Sequence, residues 1–334
     1  MKALVTGANG FVGRAVADLL LARGVEVRSL ARTDAPELRA VGIEALRGDV
    51  GSYPSVLEAA RGMDVVFHVA AKAGIWGPKE EFERSNVLGT QNVIAACREA
   101  FVPRLVYTSS PSVVFGGASL EGVDESVPYP LTYSADYPRT KAIAERAVLA
   151  ANDATLSTVA LRPHLVWGPG DQNLVPRIVS RAWKKTLRKV GTGRELVDST
   201  YIENAALAHV LAAEGLAPGA LHAGKVYFIS NGEPVPVGLL IDRIVDAAGA
   251  PPVTRTVSLR AAVAVGAVSE LVYRALRLGG EPLMTRFLAE QLATAHWFDI
   301  GAAKRDFGYL PRVSIDEGMD RLRTHLRGSS ARWT

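Results

Sequence analysis

The chain is short of several things, and each shortage excludes something. It has one cysteine, Cys97, so no intrachain disulfide can form and a reducing, cytoplasmic setting is expected. It has no apolar run long enough to span a bilayer; the longest is AAVAVGAVSELV, Ala261 to Val272. The opening MKALVTGANG runs into a strand pattern with none of the apolar core of a signal peptide. Positive charge is scattered, with one short cluster, WKKTLRK, from Trp183 to Lys189, expected to be a solvated helix end. A nucleic-acid surface needs a longer basic stripe with interleaved aromatics, so no nucleic-acid partner is expected. None of the histidines is spaced from a cysteine or carboxylate as metal ligands are, so no metal site is expected.

What remains is a globular mixture, 48% hydrophobic and 22% charged over 334 residues. That suits one large α/β unit or two unequal domains. The first half alternates strand and helix patterns. Strands are expected at Lys2–Thr6, Glu26–Ala31, Ile43–Arg47, Asp64–Val69, Arg104–Ser110 and Ser157–Pro163. Helical patterns cover about Gly13–Arg23, Phe82–Ala100 and Tyr137–Asn152. Strands separated by helices predict an α/β fold, a Rossmann-type doubly wound parallel sheet, over residues 1–163. Beyond Pro163 the loops lengthen and fill with proline and glycine. A smaller, mainly helical substrate lobe is expected over 164–327, with segments returning to the sheet, and a frayed tail over 328–334.

Chemistry is suggested first by VTGANGFVG, which puts Gly7, Gly10 and Gly13 between the first strand and the first helix. Glycines there allow a tight turn and let backbone approach a pyrophosphate, while the helix start offers free N–H groups. The end of the second strand reads VRSLART. An NAD-selective site carries an acid there; here Ala31 takes that place and Arg32 follows. With no carboxylate to repel a 2′-phosphate and a guanidinium to pair with it, NADPH is expected over NADH, with Arg28 as a helper. Asp49, in RGDV, has two uses that stay open: accepting from the adenine amino group or capping the next helix.

YPRTK places Tyr137 and Lys141 on one helix face. A phenol loses its proton near pH 10, too high for easy exchange at neutral pH. A neighbouring ammonium lowers that value and makes Tyr137 a candidate acid for a carbonyl receiving hydride. YTSS ends the fifth strand, where open α/β sheets face their ligand, so Ser110 is the candidate second donor to that oxygen. Trp76 and Trp167 follow strand ends, and substrate lining and ordinary packing both remain open for them. Asp198 is expected to order its loop, and His68 to be structural or part of the cofactor wall. Ser258–Leu278 carries a broad apolar face, Val263, Val265, Val268, Leu271, Val272 and Leu276. Three roles are open for it: core packing, capping an alkyl channel, or peripheral contact with lipid or a partner.

TGANGFVG, GDV, HVAAKAG, NVLGTQNV, YTSS, YPRTK and LRPHLVWGPGD fall in the order and spacing of the extended short-chain dehydrogenases/reductases, which the chain resembles from residue 4 to about 204. YTSSPSV and YPRTK are most similar to its 3β-hydroxysteroid dehydrogenase branch. KAGIWG, NVIAACR, KAIAERAVLAANDA, YIENAALAHVLA, YFISNGEP, TRFLAEQL and RDFGYLPRVSI cover nearly the whole chain. They are similar to a group within the family, the 2-alkyl-3-oxoalkanoate reductases of bacterial olefin biosynthesis.

The resemblance implies NADPH-dependent reduction of a long-chain, apolar β-keto acid, with a 3β-hydroxysteroid as the runner-up substrate. It implies catalytic roles for Ser110, Tyr137 and Lys141, and a structural role for Asn86, whose backbone orders the helix behind the site. For the cofactor it implies the glycine turn with Asn9, Phe11 and Val12, then Val50 beside Asp49. Ala70, Ala71 and Lys72 follow the fourth strand, and Pro163 lies against the nicotinamide. Ser112 joins the two tryptophans as a substrate candidate. Other enzymes of an olefin-forming pathway are implied partners. So is a second copy, docked through helices 82–100 and 137–152. A cofactor-binding regulator without chemistry is the alternative from another class; the joint presence of Ser110, Tyr137, Lys141 and Asn86 argues against it.

Overall fold

Strand β1 (Lys2–Thr6) is apolar on both faces, and Ala3, Leu4 and Val5 are fully buried. A strand without a polar face belongs in a sheet covered on both sides. In the computed structural model, which describes residues 1–328, β1 lies inside a seven-stranded sheet. Its other members are β2 (Glu26–Ala31), β3 (Glu44–Arg47), β4 (Val65–His68), β5 (Arg104–Thr108), β6 (Ser157–Pro163) and β7 (Lys225–Ile229). The order is β7-β6-β5-β4-β1-β2-β3 and every neighbouring pair is parallel. Chain direction across the sheet reverses between β1 and β4. That reversal opens a crevice at the strands' carboxyl ends, where doubly wound sheets bind ligands.

Helices α1 (Phe11–Ala22) and, later in the chain, Ile202–Ala213 cover one face; Val16, Leu20, Ala206 and Val210 share a core with β1 and β6. On the other face lie α2 (Tyr53–Ala60), α3 (Gly89–Glu99) and α4 (Asp136–Ala150), packed through Val56, Val93, Ala96, Ala144 and Val148. The pattern expected as one helix over 82–100 holds a π-helical turn, Glu83–Leu88, before α3. Such turns are frequent at functional sites, and this one carries Asn86.

The second half builds its own core around Ile178, Tyr201, Leu240, Ile244 and Leu322. The halves exchange strands. β7 joins the main sheet from the second half, and Leu120–Val123 from the first half pairs with His296–Phe298 in a four-stranded sheet. Helix α5 (Leu174–Trp183) ends at the basic cluster, whose Lys184 and Lys185 are exposed. The tail expected over 328–334 lies, apart from Gly328, outside the described residues.

The apolar segment forms helix α6 (Leu259–Ala275), and it does not do what core packing requires. Only Ala262, Gly266 and Glu270 are buried. A Cβ on Gly266 would stand 2.6 Å from the backbone carbon of Thr285, so the glycine lets this helix sit on the start of α7 (Arg286–Leu292). Val265, Val268, Leu271 and Leu276 face outward. They line none of the chambers described below; the groups that this segment turns toward the outer chamber are mainly charged, Glu270, Arg274 and Arg277.

Helix α4 is held to β6 by a buried ion pair. The Arg162 guanidinium donates to both Glu145 oxygens at 3.0 and 2.7 Å, and the two side chains are 2% and 0% exposed. The Tyr129 hydroxyl adds a third donor to Glu145 at 2.6 Å. Removing one partner strands a charge where water cannot reach it, which costs about 3–5 kcal/mol, whereas replacing both with apolar groups can be neutral. Arg162→Met is therefore expected to lower the unfolding free energy by about 3–5 kcal/mol. In urea titrations, Arg162→Met/Glu145→Leu should recover much of that loss.

Candidate active site

The glycine turn is built for close approach. Gly7 has φ 73°, and a Cβ there would stand 2.9 Å from the Cα of Ala70 at the end of β4. A Cβ on Gly13 would collide with the Gly7 carbonyl oxygen at 2.2 Å. Gly10 caps α1 in an extended conformation with no side-chain hydrogen bond, so the amides at the helix start are not capped by a side chain. This cradle, which side chains would fill, fits a dinucleotide pyrophosphate. It opens into a cleft of about 430 Å³ bordered by Asn9, Phe11, Val12, Asp49, Val50, Ala70 and Ala71. Arg32 stands exposed at its edge, just beyond the end of β2.

Two expected cofactor contacts, Arg28 and Lys72, are corrected. Arg28 is turned away: it donates to Glu44 at 2.8 Å and to the Ala59 and Arg61 carbonyls at the end of α2. The Lys72 side chain pairs with Glu81 at 2.5 Å and lines the outer chamber instead of the cleft. Asp49 shapes its own turn by accepting from the Gly51 amide at 2.8 Å, and it pairs with Arg84 at 2.9 Å; Ser52 holds the cap position of α2. His68 is structural, buried between the Thr6 and Thr90 hydroxyls at 2.8 and 3.0 Å.

Tyr137 and Lys141 lie in the first turns of α4, where Pro138 is tolerated because the early amides have no helical partner. Asn86 fastens the helix from behind. Its side chain accepts from the Lys72 amide at 2.8 Å and donates to the Lys72 carbonyl at 3.2 Å and to Thr140 at 3.0 Å. The side chain therefore joins loop to helix, and the Asn86 carbonyl in turn accepts from the Thr90 hydroxyl at 2.6 Å. Ser110 accepts from the Ser112 amide at 3.3 Å and shares a hydrogen bond with the Ser112 hydroxyl at 2.9 Å.

The electrostatics differ from the simple expectation. Burial pushes the Tyr137 phenol above its ordinary value, and only hydrogen bonding with Ser110 opposes it. Lys141 donates to the Thr108 carbonyl and lies 4.1 Å from the Tyr107 ring centroid. Burial lowers its amine to about 7, against a smaller upward pull from Glu145. Burial thus presses both groups toward neutrality.

Tyr137 borders two spaces. One is the cofactor cleft. The other is a cavity of about 260 Å³ that also meets Ser110, Ser112 and Pro163, with Ile75, Phe115, Phe287 and Phe298 among its apolar walls. Trp76 lies further out, in a chamber of about 940 Å³, edge-on to Tyr273 with centroids 6.1 Å apart. Trp167 is no substrate contact: it is fully buried in the second core, its indole donating to Ser199 at 3.0 Å. Asp198 accepts from the Phe298 amide at 2.9 Å, and burial raises its carboxyl to about 6. Among the described residues no three potential metal ligands come together. Sequence reading passed over Glu145, Arg162, Phe287 and Arg177. Lys141 and Glu145 one turn apart were a usable signal; Phe287 had none.

The chain matches the model of the 3-beta hydroxysteroid dehydrogenase/isomerase family over residues 4–259. It is 54% identical to a 2-alkyl-3-oxoalkanoate reductase of Stenotrophomonas maltophilia, over 97% of this chain and 98% of that one. Identity to the Shewanella oneidensis protein of the same name is 48%, over 97% and 86%. Among solved structures it is similar to MoeE5 in complex with UDP-glucose and NAD, with a TM-score of 0.76, 27% identity, and coverage of 99% of this chain and 100% of that one.

The Lys141 amine binds its proton less tightly in the folded chain, at about 7, than at the ordinary 10.5. Unfolding therefore takes up a proton between these values, and folded stability rises with pH across that window. Urea titrations of the ligand-free protein from pH 7 to 10 should show wild type gaining on Lys141→Met, by up to about 1.4 kcal/mol per pH unit.

Proposed function

Because the chain belongs to the 3-beta hydroxysteroid dehydrogenase/isomerase family and is an NAD(P)-dependent oxidoreductase of the extended short-chain type, we propose that it reduces a long-chain 2-alkyl-3-oxoalkanoic acid to the 2-alkyl-3-hydroxy acid, with NADPH as preferred reductant. The observation that carries this reading is the place of Tyr137, which borders both the glycine-turn cleft and the apolar cavity. A proton donor at that junction serves a carbonyl lying in the cavity. The names of the two reductase relatives supply the substrate class.

A bound reduced nicotinamide supplies hydride to the carbonyl carbon. The Tyr137 hydroxyl gives its proton to the carbonyl oxygen, and Ser110 donates a hydrogen bond to that same oxygen. Lys141, once charged, favours the phenolate that Tyr137 leaves behind. Pro163 and the ring walls exclude water from the reacting atoms. Arg32, with Ala31 where an acid would repel it, is the group that meets a 2′-phosphate.

Two measurements test this reading. Tyr137→Phe is expected to lower kcat by about 10²–10⁴-fold while cofactor affinity stays within a few-fold. The assay follows NADP⁺ reduction with a 2-alkyl-3-hydroxy acid and, separately, a 3β-hydroxysteroid, the second reading that the family match favours. Turnover of the steroid alone would replace the first reading with the second. Arg32→Ala should shrink the ratio of kcat/KM for NADPH over NADH about tenfold or more, since a charge-assisted pair contributes roughly 1.5–3 kcal/mol. A wild-type preference for NADH would sink the cofactor assignment.

A further inference from the structure

The cavity beside Tyr137 has apolar walls interrupted by Ser110, Ser112, Asn173, Gln291 and two histidines, and a cation also borders it. Among the described residues Arg177, on α5, is the one arginine or lysine that borders it. Its other basic neighbours are histidines: burial lowers His164 to about 3 and His296 to about 4, so both are neutral at ordinary pH. Among the described residues Arg177 is thus the one permanent positive charge that borders this space, and its side chain is 42% exposed.

Its partner is Glu281, whose carboxylate pairs with the Arg177 guanidinium. Glu281 also presses against Gly74, where an added Cβ would stand 2.5 Å from its Oε1; Gly74 borders the same cavity. A carboxylate of the protein's own, lining the outer chamber, thus pairs with the cation that borders the cavity. Arg181, one turn further along α5, is half-buried and makes no ion pair among the described residues; burial and Arg177 both press it toward losing its proton, and Glu281 opposes them. The remaining nearby carboxylate, Asp171, spends its oxygens on the amides of Asn173, Leu174 and Val175. Glu281 thus acts on both arginines, and it is the one carboxylate that forms an ion pair with Arg177 among the described residues.

We propose that Arg177, supported by Arg181, anchors the carboxylate of the substrate, and that Glu281 is the internal carboxylate displaced when the acid enters. The proposal rests on the 3-oxo acid reading above and deepens it. In such an acid the carboxylate sits two carbons from the reacting carbon, so one small cavity must offer a phenol to the first oxygen and a guanidinium to the second group. This pairing sets specificity for acids over neutral ketones, and orients the carbonyl toward Tyr137.

The test uses a 2-alkyl-3-hydroxyalkanoic acid, which does not decarboxylate as the 3-oxo acid does, and its methyl ester, which lacks the charge. Affinity for each is measured by calorimetry with NADP⁺ present, and turnover is followed in the same samples. Arg177→Gln is expected to cut the preference for acid over ester by about tenfold to a hundredfold, the range of a lost charge-assisted hydrogen bond. Glu281→Gln is expected to tighten the acid and not the ester. Equal losses for acid and ester in Arg177→Gln overturn the anchor, whatever the turnover. Acid-selective binding that depends on Arg177 without any turnover keeps the anchor and overturns the proposed reaction. A wild type that binds neither compound overturns both.

Discussion

The buried pair between Glu145 and Arg162 is the constraint on which the site depends. Neither charge can leave its partner without entering an apolar interior unpaired. Helix α4 therefore cannot slide along β6. Lys141 and Tyr137 lie one and two turns before Glu145 on that helix, so the same pair sets their depth against the sheet. Asn86 acts on the opposite side, tying the helix through Thr140 to the backbone of the loop after β4. Two polar fastenings, both buried, thus hold the phenol where the crevice of the doubly wound sheet opens.

That position has an electrostatic cost. The cleft that excludes water also presses the phenol and the amine toward their neutral forms. A neutral, protonated Tyr137 is what a proton donor needs at the start of a reduction. The glycine turn meets a different demand. Its work is done by backbone, because side chains at Gly7 and Gly13 would occupy the space that a pyrophosphate requires.

The substrate side is assembled from distant pieces. Pro163 ends a sheet strand, Phe115 follows a turn after β5, Phe287 comes from the short α7, and Arg177 from α5. No local pattern links them, yet all border one cavity, together with Leu120, His296 and Phe298 of the four-stranded sheet. The outward stripe of Val265, Val268, Leu271 and Leu276 carries the same lesson. Its periodicity is that of a core helix, yet Gly266 and Glu270 face the protein, because the start of α7 needs a close backbone contact and a carboxylate for Arg286.

Local pattern was enough for the alternating strands, the glycine turn and a tyrosine and lysine on one helix face, since each depends on residues a few positions apart. It put Ser110 at a strand end, whereas the strand stops at Thr108 and Ser110 caps the short turn that follows. It could not tell that Arg28 and Lys72 spend their charges on Glu44 and Glu81, that Trp167 is core, or that the Asn86 side chain reaches Thr140. Those outcomes depend on which side chains the fold brings within hydrogen-bonding distance. Sequence alone determined the kind of sheet and the kind of chemistry, because backbone geometry and helical spacing are local. Tertiary structure decided which charges are paired and which rings are buried, because these depend on contacts between residues far apart in the chain.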